Sequence, residues 1–296
     1  MTTESHNRLS RASQHRLAVR VRLRALAILA TIAACGTSYS APAEEFPLWE
    51  VGAGAALLNF PDYRGSDERR TYLLPVPYVI YRGETLKVDR QRVRGLLFSG
   101  PAAELDVSVS GSVPVRSRDN KARQGMPDLD PTLEIGPSVN VSLHRTAKSS
   151  LELRVPVRGI VASDFKDVSY QGIVFHPHIN LDLKDVFPGP GWNLGLLAGP
   201  VFADRRYHKY FYGVAPKFAT PGRPAYEAKG GYSGLQFIGS VSKRFENYWV
   251  GGFIKADSLH GAAFENSPLV KQKYALAGGI AVAYIFGKST QMVDAR

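Results

Sequence analysis

Two histidines are the residues of this chain best placed to bind a metal. His176 and His178 occur two positions apart in an alternating segment that also holds Asn180 and Asp182. In an extended strand such residues point to one face, which would put the two histidines about 6.6 Å apart. Imidazole suits many metals, but no further ligand cluster accompanies the pair. The pattern therefore favours ordinary polar lining of a strand face, and we expect neither a metal nor another cofactor.

Catalysis would require a nucleophile or a water molecule activated by a positioned base, which a third group orients. His260 precedes Gly261 at the start of a polar segment and has no partner in the sequence. No recognisable catalytic signature occurs elsewhere in the chain. We therefore expect that the protein is not an enzyme.

Charged side chains recur on the polar faces of the alternating segments. If these faces line an interior, the ionised groups must pair or stay hydrated, because burial of an isolated charge is costly. A paired network that rigidifies a closed structure is the favoured interpretation. A narrow selective pore is the alternative, since opposed charges can tune ion passage. The candidates for this network are Glu104, Asp106, Glu134, Glu152, Arg154, Arg158, Asp182, Lys255 and Asp257.

The segment 204–230 is the best candidate for recognition, because it mixes aromatic and basic side chains between two alternating segments. Loops on rigid scaffolds often carry function, and aromatic–cationic surfaces suit carbohydrate or anionic partners. Alternatively, the rings pack onto the rest of the protein while the cations pair with lipid phosphates. The candidate recognition residues are Arg205, Arg206, Tyr207, Tyr210, Phe211, Tyr212 and Tyr226.

Strict alternation of apolar and polar residues extends along most of the chain. In 104–115 the odd positions from Leu105 to Val115 are apolar or glycine, whereas the even positions from Glu104 to Ser112 are polar. Successive side chains of a strand point to opposite faces, so this segment predicts a strand with one apolar face. Similar patterns in 133–144, 151–158 and 171–183 predict an all-β protein.

Two environments fit this alternation. In a soluble sandwich or lipocalin the apolar faces form the core, whereas in an outer-membrane barrel they meet lipid and the polar faces line the lumen. Several segments reach about 11 to 14 residues, beyond the 5–6 usual for sandwich strands. Aromatic residues such as Trp49 and Trp192 occur at segment ends, and the bulky face of 274–286 ends at Phe286, similar to a barrel-assembly signal. We predict a transmembrane, antiparallel, up-and-down β-barrel.

The strand number follows from parity, because a bacterial single-chain barrel has an even number of strands. Eleven segments are visible directly, and the pattern of 84–99 breaks at 89–92. If 89–92 is a tight turn, the barrel has twelve strands, every longer connection faces outward and both termini are periplasmic. Ten strands is the alternative. The longer connections are 61–71, 116–130, 163–169, 204–230 and 260–273.

The first 43 residues differ from the rest of the chain. Six arginines between Arg8 and Arg24 precede the apolar run 25–34, and Ala41-Pro42-Ala43 resembles a signal-peptidase site. We predict a cleaved signal peptide over 1–43, a barrel over 44–286 and a short periplasmic tail over 287–296; a lipoprotein signal ending at Cys35 is the alternative. Six arginines against Glu4 give the leader +5 of the formal net charge of +11. The remaining +6 is dispersed, so we expect no nucleic-acid partner.

Three sets of short motifs resemble those of the MltA-interacting protein family, MipA/OmpV. Residues 61–67 (PDYRGSD) are followed by 74–78 (LPVPY), 211–214 (FYGV) by 224–228 (PAYEA), and 267–270 (SPLV) by the final strand. The matches keep the family's order and span roughly 48–286. From the residues alone, 64–67 predicts a polar turn in which Gly65 supplies backbone freedom.

The resemblance implies a Gram-negative outer-membrane barrel in contact with lipid and lipopolysaccharide. For the best-known members it also implies a scaffold that links a lytic murein transglycosylase to a bifunctional penicillin-binding protein. We therefore expect a non-enzymatic scaffold in peptidoglycan remodelling, although fold transfers better than role. A narrow channel for small solutes and a surface adhesin that uses 204–230 are the alternatives. The predicted periplasmic turns are short and offer little surface for soluble enzymes, so a scaffold would need 44–48 or the tail after Phe286 as its binding surface. The sequence leaves the oligomeric state open.

Overall fold

The computed structural model describes residues 45–83, 86–88, 93–100, 103–164, 166–187 and 190–294. The predicted signal peptide over 1–43, including Cys35, and the predicted turn 89–92 lie outside these residues. The elements are β1 (Glu45–Pro47), β2 (Trp49–Pro61), β3 (Arg69–Arg82), β4 (Leu86–Val88), β5 (Val93–Ser99), β6 (Ala103–Ser112), β7 (Thr132–Arg145), β8 (Ser149–Ser163), β9 (Val168–Phe175), β10 (His178–Lys184), β11 (Trp192–Ala203), α1 (Arg205–Tyr212), β12 (Gly231–Arg244), β13 (Tyr248–Ser258), β14 (Tyr274–Lys288) and β15 (Met292–Asp294).

Antiparallel pairing joins the strands in chain order from β2 onward, and β14 pairs back onto β2, which closes a barrel. β9 and β10 behave as one broken strand. β8 pairs with both, and the register is the same on the two sides of the break, with Val157 opposite Phe175 and Arg154 opposite His178. The break lies at His176 and Pro177, where the proline lacks the N–H that a ladder needs. The predicted fold, an all-β antiparallel up-and-down barrel, is confirmed.

With β9 and β10 counted as one strand, the described residues form a ring of twelve. β4 and β5 pair antiparallel, with Val88 opposite Val93, as the predicted tight turn between them requires. β4 has only three residues. The choice between twelve and ten strands stays a prediction, because the residues that join these short strands lie outside the described ranges.

The final strand shows which face of the barrel is apolar. In β14 the even-numbered side chains are exposed, among them Ile280 at 65% and Phe286 at 66%, whereas Ala283 and Ile285 are buried. The bulky face therefore points away from the barrel and the small face points into it. Large exposed apolar surfaces are rare on soluble monomers, and a lipid-facing wall accounts for this one. Among the described residues, no helix is both long and apolar enough to cross a membrane.

The two ends of the barrel differ. The long connections 62–68, 113–131, 204–230 and 259–273 lie at one end, and the other end holds short turns, of which 146–148 and 245–247 are fully described. β1 pairs with β15 at the second end, from Glu45 opposite Asp294 to Pro47 opposite Met292. Both segments that flank the barrel therefore meet in one two-stranded ribbon, which we call the terminal ribbon.

α1 is an element that sequence periodicity did not predict. Asp204 caps it by accepting a hydrogen bond from the Tyr207 amide at 2.9 Å, and Gly213 follows its last residue. Asp at the N-cap and Gly just after the end are ordinary helix boundaries. The helix was missed because its 8 residues are too few for a helical period to stand out from the aromatic background.

Candidate functional site

The four long connections pack together into one folded unit over the barrel end, which we call the cap (62–68, 113–131, 204–230 and 259–273). Apolar side chains from all four connections share a buried core, so the cap has the interior of a small domain. Apolar burial of this kind is the main favourable term in folding. Its buried members are Tyr63, Val115, Leu129, Phe211, Tyr212, Val214, Ala228, Leu259, Ala262, Phe264 and Leu269.

The motifs that are far apart in the sequence meet in this cap. The Tyr63 hydroxyl donates to the Leu269 carbonyl at 2.9 Å, and the Tyr212 hydroxyl donates to the Arg64 carbonyl at 3.0 Å. The Ser267 hydroxyl donates to the Tyr212 carbonyl at 2.7 Å. Segments 61–67, 211–214 and 267–270 therefore hold one another in place.

Gly65 has a specific backbone role in this assembly. Its φ is +93°, and a Cβ there would lie 2.9 Å from a Leu259 methyl. Its carbonyl accepts the amides of Lys271 and Gln272 at 2.7 and 3.1 Å. The predicted polar turn is thus a junction between two connections, and only glycine combines this φ with this close approach.

Two buried arginines satisfy backbone carbonyls inside the cap. The Arg123 guanidinium donates to the Phe211 and Pro127 carbonyls at 3.2 and 3.1 Å. The Arg223 guanidinium donates to the carbonyls of Phe218, Ala122 and Gln124 at 2.8 to 3.2 Å. Because buried carbonyls without donors are costly, these arginines replace the regular hydrogen bonding that loops lack.

His208 joins α1 to the barrel wall. Its Nδ1 lies 2.6 Å from the Lys229 carbonyl and its Nε2 lies 2.5 Å from the Ser233 hydroxyl. Since a carbonyl only accepts, Nδ1 donates and the neutral ring accepts from Ser233 through Nε2. Burial lowers the pKa of His208 below its usual 6.5, and the nearby Arg64 lowers it further.

This lowered pKa predicts that acid weakens the protein. A folded-state pKa below the unfolded one means that His208 favours the fold above about pH 6.5 and that this contribution is lost as pH falls below it, by at most about 1.4 kcal/mol per pH unit. We expect the free energy of unfolding to fall more steeply between pH 7 and 5 in the wild type than in His208→Gln. Denaturant titrations at both pH values measure this, and equal slopes would contradict it.

The candidate recognition residues separate into two groups in the structure. Phe211 and Tyr212 are buried in the cap core, and Tyr207, Tyr210 and Tyr226 pack against it. Arg205 is exposed and pairs with Glu227, and the Arg206 guanidinium lies 5.3 Å from the Tyr170 ring centroid. The rings therefore build the cap, and only the two arginines of this set present charge at its surface.

The lumen candidates near the terminal ribbon form a paired network. Arg154 lies 2.8 Å from Glu152 and 3.7 Å from Asp182. Arg145, which the sequence did not single out, also reaches Glu152, at 3.2 Å. Asp106 accepts a hydrogen bond from the Asn140 side chain at 2.9 Å, and Glu104 lines a cavity of about 20 Å³ beside this network.

The opposite wall of the same barrel end is also filled. Glu50 lies between Arg82 and Arg244, with oxygen–nitrogen distances of 2.8 and 2.9 Å. Tyr78, Ile80, Ala283 and Ile285 form a buried inward-facing cluster against which Trp249 packs. Side chains from several strands thus fill the lumen near the termini.

The remaining lumen candidates lie beneath the cap. Arg158 is 3.2 Å from Glu134, and Lys255 is 3.6 Å from Asp257. The cap adds Arg64, whose Nε lies 3.0 Å from the same Asp257 carboxylate. Sequence reasoning missed Arg64 as a lumen residue, although its place in the 61–67 motif was a signal that the position matters.

The two histidines lie at the break between β9 and β10. Their ring centroids are 4.6 Å apart, and His178 Nδ1 is 2.7 Å from the His176 carbonyl. Both side chains are buried and belong to the inward face. Within the described ranges, no group of three or more His, Cys, Asp or Glu residues could hold a metal ion.

The family described as MltA-interacting protein MipA matches residues 51–286. The chain belongs to this family. Its similarity to outer membrane protein Omp26La of Vibrio anguillarum is 24% identity over 212 residues, which cover 70% of this chain and 76% of that protein. The MipA-family match, this relative and the closed barrel identify an outer-membrane β-barrel protein.

Solved structures of outer-membrane proteins resemble this MipA-family barrel at low identity. An outer membrane channel from Pseudomonas putida has a TM-score of 0.45 at 11% identity, with 84% of this chain and 100% of that chain covered. The outer membrane channel DcaP of Acinetobacter baumannii has a TM-score of 0.35 at 11% identity, with 85% and 100% covered. The outer membrane phospholipase A of Escherichia coli has a TM-score of 0.32 at 10% identity, with 84% and 94% covered.

Proposed function

We propose that this MipA-family barrel is a non-enzymatic scaffold for peptidoglycan-remodelling enzymes, with a lytic murein transglycosylase as its first partner. The observation that carries the proposal is the cap, which has its own apolar core over one end of the barrel. A barrel covered in this way is suited to presenting a surface rather than to passing solutes. The family name supplies the partner class, and a bifunctional penicillin-binding protein is the second candidate partner.

The terminal ribbon offers the surface that such a partner needs. Bacterial barrels place their short turns in the periplasm, so in this proposal the ribbon faces the peptidoglycan and the cap faces outward. We also propose that a cleaved signal peptide precedes the ribbon. The Arg82 guanidinium donates to the Pro47 carbonyl at 2.6 Å and lies 5.1 Å from the Phe46 ring centroid. These contacts fasten the ribbon to the barrel rim, while Met292 stays 47% exposed.

The absence of enzymatic activity is part of the proposal. The arrangement most like a nucleophile with its base is Ser233 with His208, at 2.5 Å. Both side chains are fully buried inside the protein. A buried serine has no access to substrate, so the pair serves to hold α1 against β12 rather than to catalyse a reaction.

The scaffold proposal predicts that a change at the terminal ribbon weakens partner capture. Met292→Glu places a charge on the exposed ribbon without touching the barrel or the cap. We expect pull-down from solubilised envelopes to recover a murein transglycosylase with the wild type and several-fold less with this variant. Lys217→Glu, an exposed change in the cap, is the matched control and should recover wild-type amounts. Repeated failure of the wild type to recover any murein enzyme would refute the scaffold.

A gated channel is the second candidate function, because the lumen beneath the cap is accessible to water. The Lys255 side chain is 30% exposed although it points into the barrel. A channel of this kind would conduct only after the cap moves. The adhesin alternative loses its main support, since most aromatic residues of 204–230 form or pack against the cap core.

A further inference from the structure

Buried nitrogen donors without hydrogen bonds gather in the lumen directly beneath the cap. Among the described residues, Arg64 Nη2 and His176 Nε2 are buried and have no hydrogen-bond partner. Arg64 Nε and Arg158 Nε lie 3.0 and 3.2 Å from carboxylate oxygens but without hydrogen-bond geometry. Buried donors are almost always satisfied by protein, water or an ion, so several unsatisfied donors in one place indicate a missing acceptor.

These donors come from different parts of the barrel and converge on one space. Arg158 lies opposite Val174, and the His176 amide donates to the Pro156 carbonyl at 3.2 Å, so Arg158 and the 5% exposed His176 are neighbours on the inward face of adjacent strands. From the cap, Arg64 reaches the barrel wall at β12, where a Cβ on Gly234 would lie 3.1 Å from Arg64 Nη2. The groups that face this part of the lumen therefore lie on β7, β8, the break between β9 and β10, β13 and the cap.

The fixed charges around this space are unequal. Arg64 and Lys255 share the single carboxylate of Asp257, at 3.0 and 3.6 Å, and Gln236 donates to the same carboxylate at 3.1 Å. Arg158 has Glu134 as its counterion, at 3.2 Å. Three cations thus face two carboxylates, which leaves a surplus of one positive charge when the histidines are neutral. A surplus charge that is largely withdrawn from water is stabilised by an accompanying anion.

The cations that face this part of the lumen remain partly accessible to water. The side chains of Arg64, Arg158 and Lys255 are 17%, 14% and 30% exposed although they point into the lumen. Nearer the termini, the lumen is filled by the Glu152–Arg154 network and by the Tyr78–Ile285 cluster. We call the part of the lumen between these packed side chains and the cap the chamber.

We propose that this chamber is a binding site for a small oxyanion, such as a carboxylate or a phosphate monoester. Lys255 and Arg64 supply the charge, since Asp257 neutralises only one of them, and His176 Nε2 supplies a neutral donor in the tautomer that carries the proton on this nitrogen. Charge-assisted hydrogen bonds to carboxylate or phosphate oxygens are short and strong, which suits donors that the protein itself leaves unpaired. The proposal is independent of the scaffold function and applies equally to a closed barrel and to a gated channel.

Titration calorimetry of the full-length protein in detergent tests the site, with inorganic phosphate and acetate as probes and glycerol as the neutral control. We expect saturable binding of one oxyanion per chain. Lys255→Met should weaken it at least about tenfold, because it removes the surplus charge, whereas Lys255→Arg should retain it. Lys229→Met, which removes an exposed cap charge, is the matched control and should bind as the wild type does.

His176→Leu keeps every charge and removes only the neutral donor, so it provides a second test if Lys255→Met does not fold. Circular dichroism establishes the strand content of each variant before titration. Saturable binding that weakens in Lys255→Met or His176→Leu but not in Lys229→Met supports the site. Absence of saturable binding of both oxyanions to the wild type, or equal loss in Lys229→Met, would overturn it.

Discussion

Replacement of Asp257 by alanine is expected to lower the free energy of unfolding by about 3–5 kcal/mol, because it leaves buried cations without their counterion. Asp257 is 5% exposed and serves both Arg64, at 3.0 Å, and Lys255, at 3.6 Å. The same change releases the cap motif that Arg64 anchors to β13. Urea titration of the protein refolded into lipid vesicles measures the effect.

Asp67→Ala provides the matched control for this change, since Asp67 is an exposed acid in the same motif as Arg64. Its expected effect is within about 0.5 kcal/mol, as for most surface substitutions. The double variant Arg64→Ala/Asp257→Ala should lose less stability than the sum of the single variants, because it removes one of the two stranded cations. An Asp257→Ala variant as stable as Asp67→Ala would show that the pair contributes little to the fold.

The oxyanion site gives the same variant a second, independent consequence. Loss of Asp257 raises the local charge surplus, so added phosphate should stabilise Asp257→Ala more than it stabilises the wild type. A ligand that binds only the folded state stabilises it more at a given concentration the tighter it binds. The two measurements on Asp257→Ala therefore test different claims. The loss of stability tests the ion pair, and the response to phosphate tests the oxyanion site.

The barrel could be predicted from the sequence because its rules are local. Alternation fixes which residues of each strand face inward, and the exposed even-numbered residues of β14 agree with the bulky face predicted for 274–286. The interruption of the strand at His176 and Pro177 was not predicted, because the register continues unchanged across it. Periodicity reports the side to which a residue points, and that side does not change at this break.

The cap could not be predicted, because its structure depends on contacts between distant segments. Tyr63 bonds to Leu269 across 206 positions, and Arg64 to Asp257 across nearly as many. Composition left two interpretations of 204–230, a recognition loop or rings packed onto the rest of the protein, and the structure shows packing in a core that three other connections complete. The motif order indicated that the segments belong together but not that they touch.

The lumen was predictable only in part, unlike the barrel wall, which was predictable, and the cap, which was not. The nine charged candidates were identified by alternation, and described strands carry all of them on the inward side. Their partners were not predictable, because a pairing such as Arg158 with Glu134 depends on strand register, and a shift by two residues would keep every side chain on the same face. Arg64 enters the lumen from a connection, so no strand pattern could reveal it.

Phe264→Ala is expected to open the cap while leaving the barrel intact. The Phe264 ring is fully buried, stacks on Tyr212 at a centroid distance of 3.6 Å and meets the His208 ring at 4.7 Å. Truncation of a buried phenylalanine costs about 3–5 kcal/mol. Because this cost falls on the closed cap, the open fraction should rise by a factor of about a hundred to a few thousand. Limited trypsin digestion at the exposed Arg118 and Lys121 measures this opening.

Phe237→Ala controls for the loss of a ring, because Phe237 points outward from β12 and is 44% exposed. It should leave cap digestion at the wild-type rate, and equal rates for both variants would contradict the assigned role of Phe264.

The same pair of variants distinguishes the two candidate functions in planar-bilayer recordings. A gated channel would conduct once Phe264→Ala loosens the cap. A scaffold whose lumen is filled by Glu152, Arg154 and the Tyr78–Ile285 cluster should show no discrete conductance in either variant, because the block nearer the termini remains.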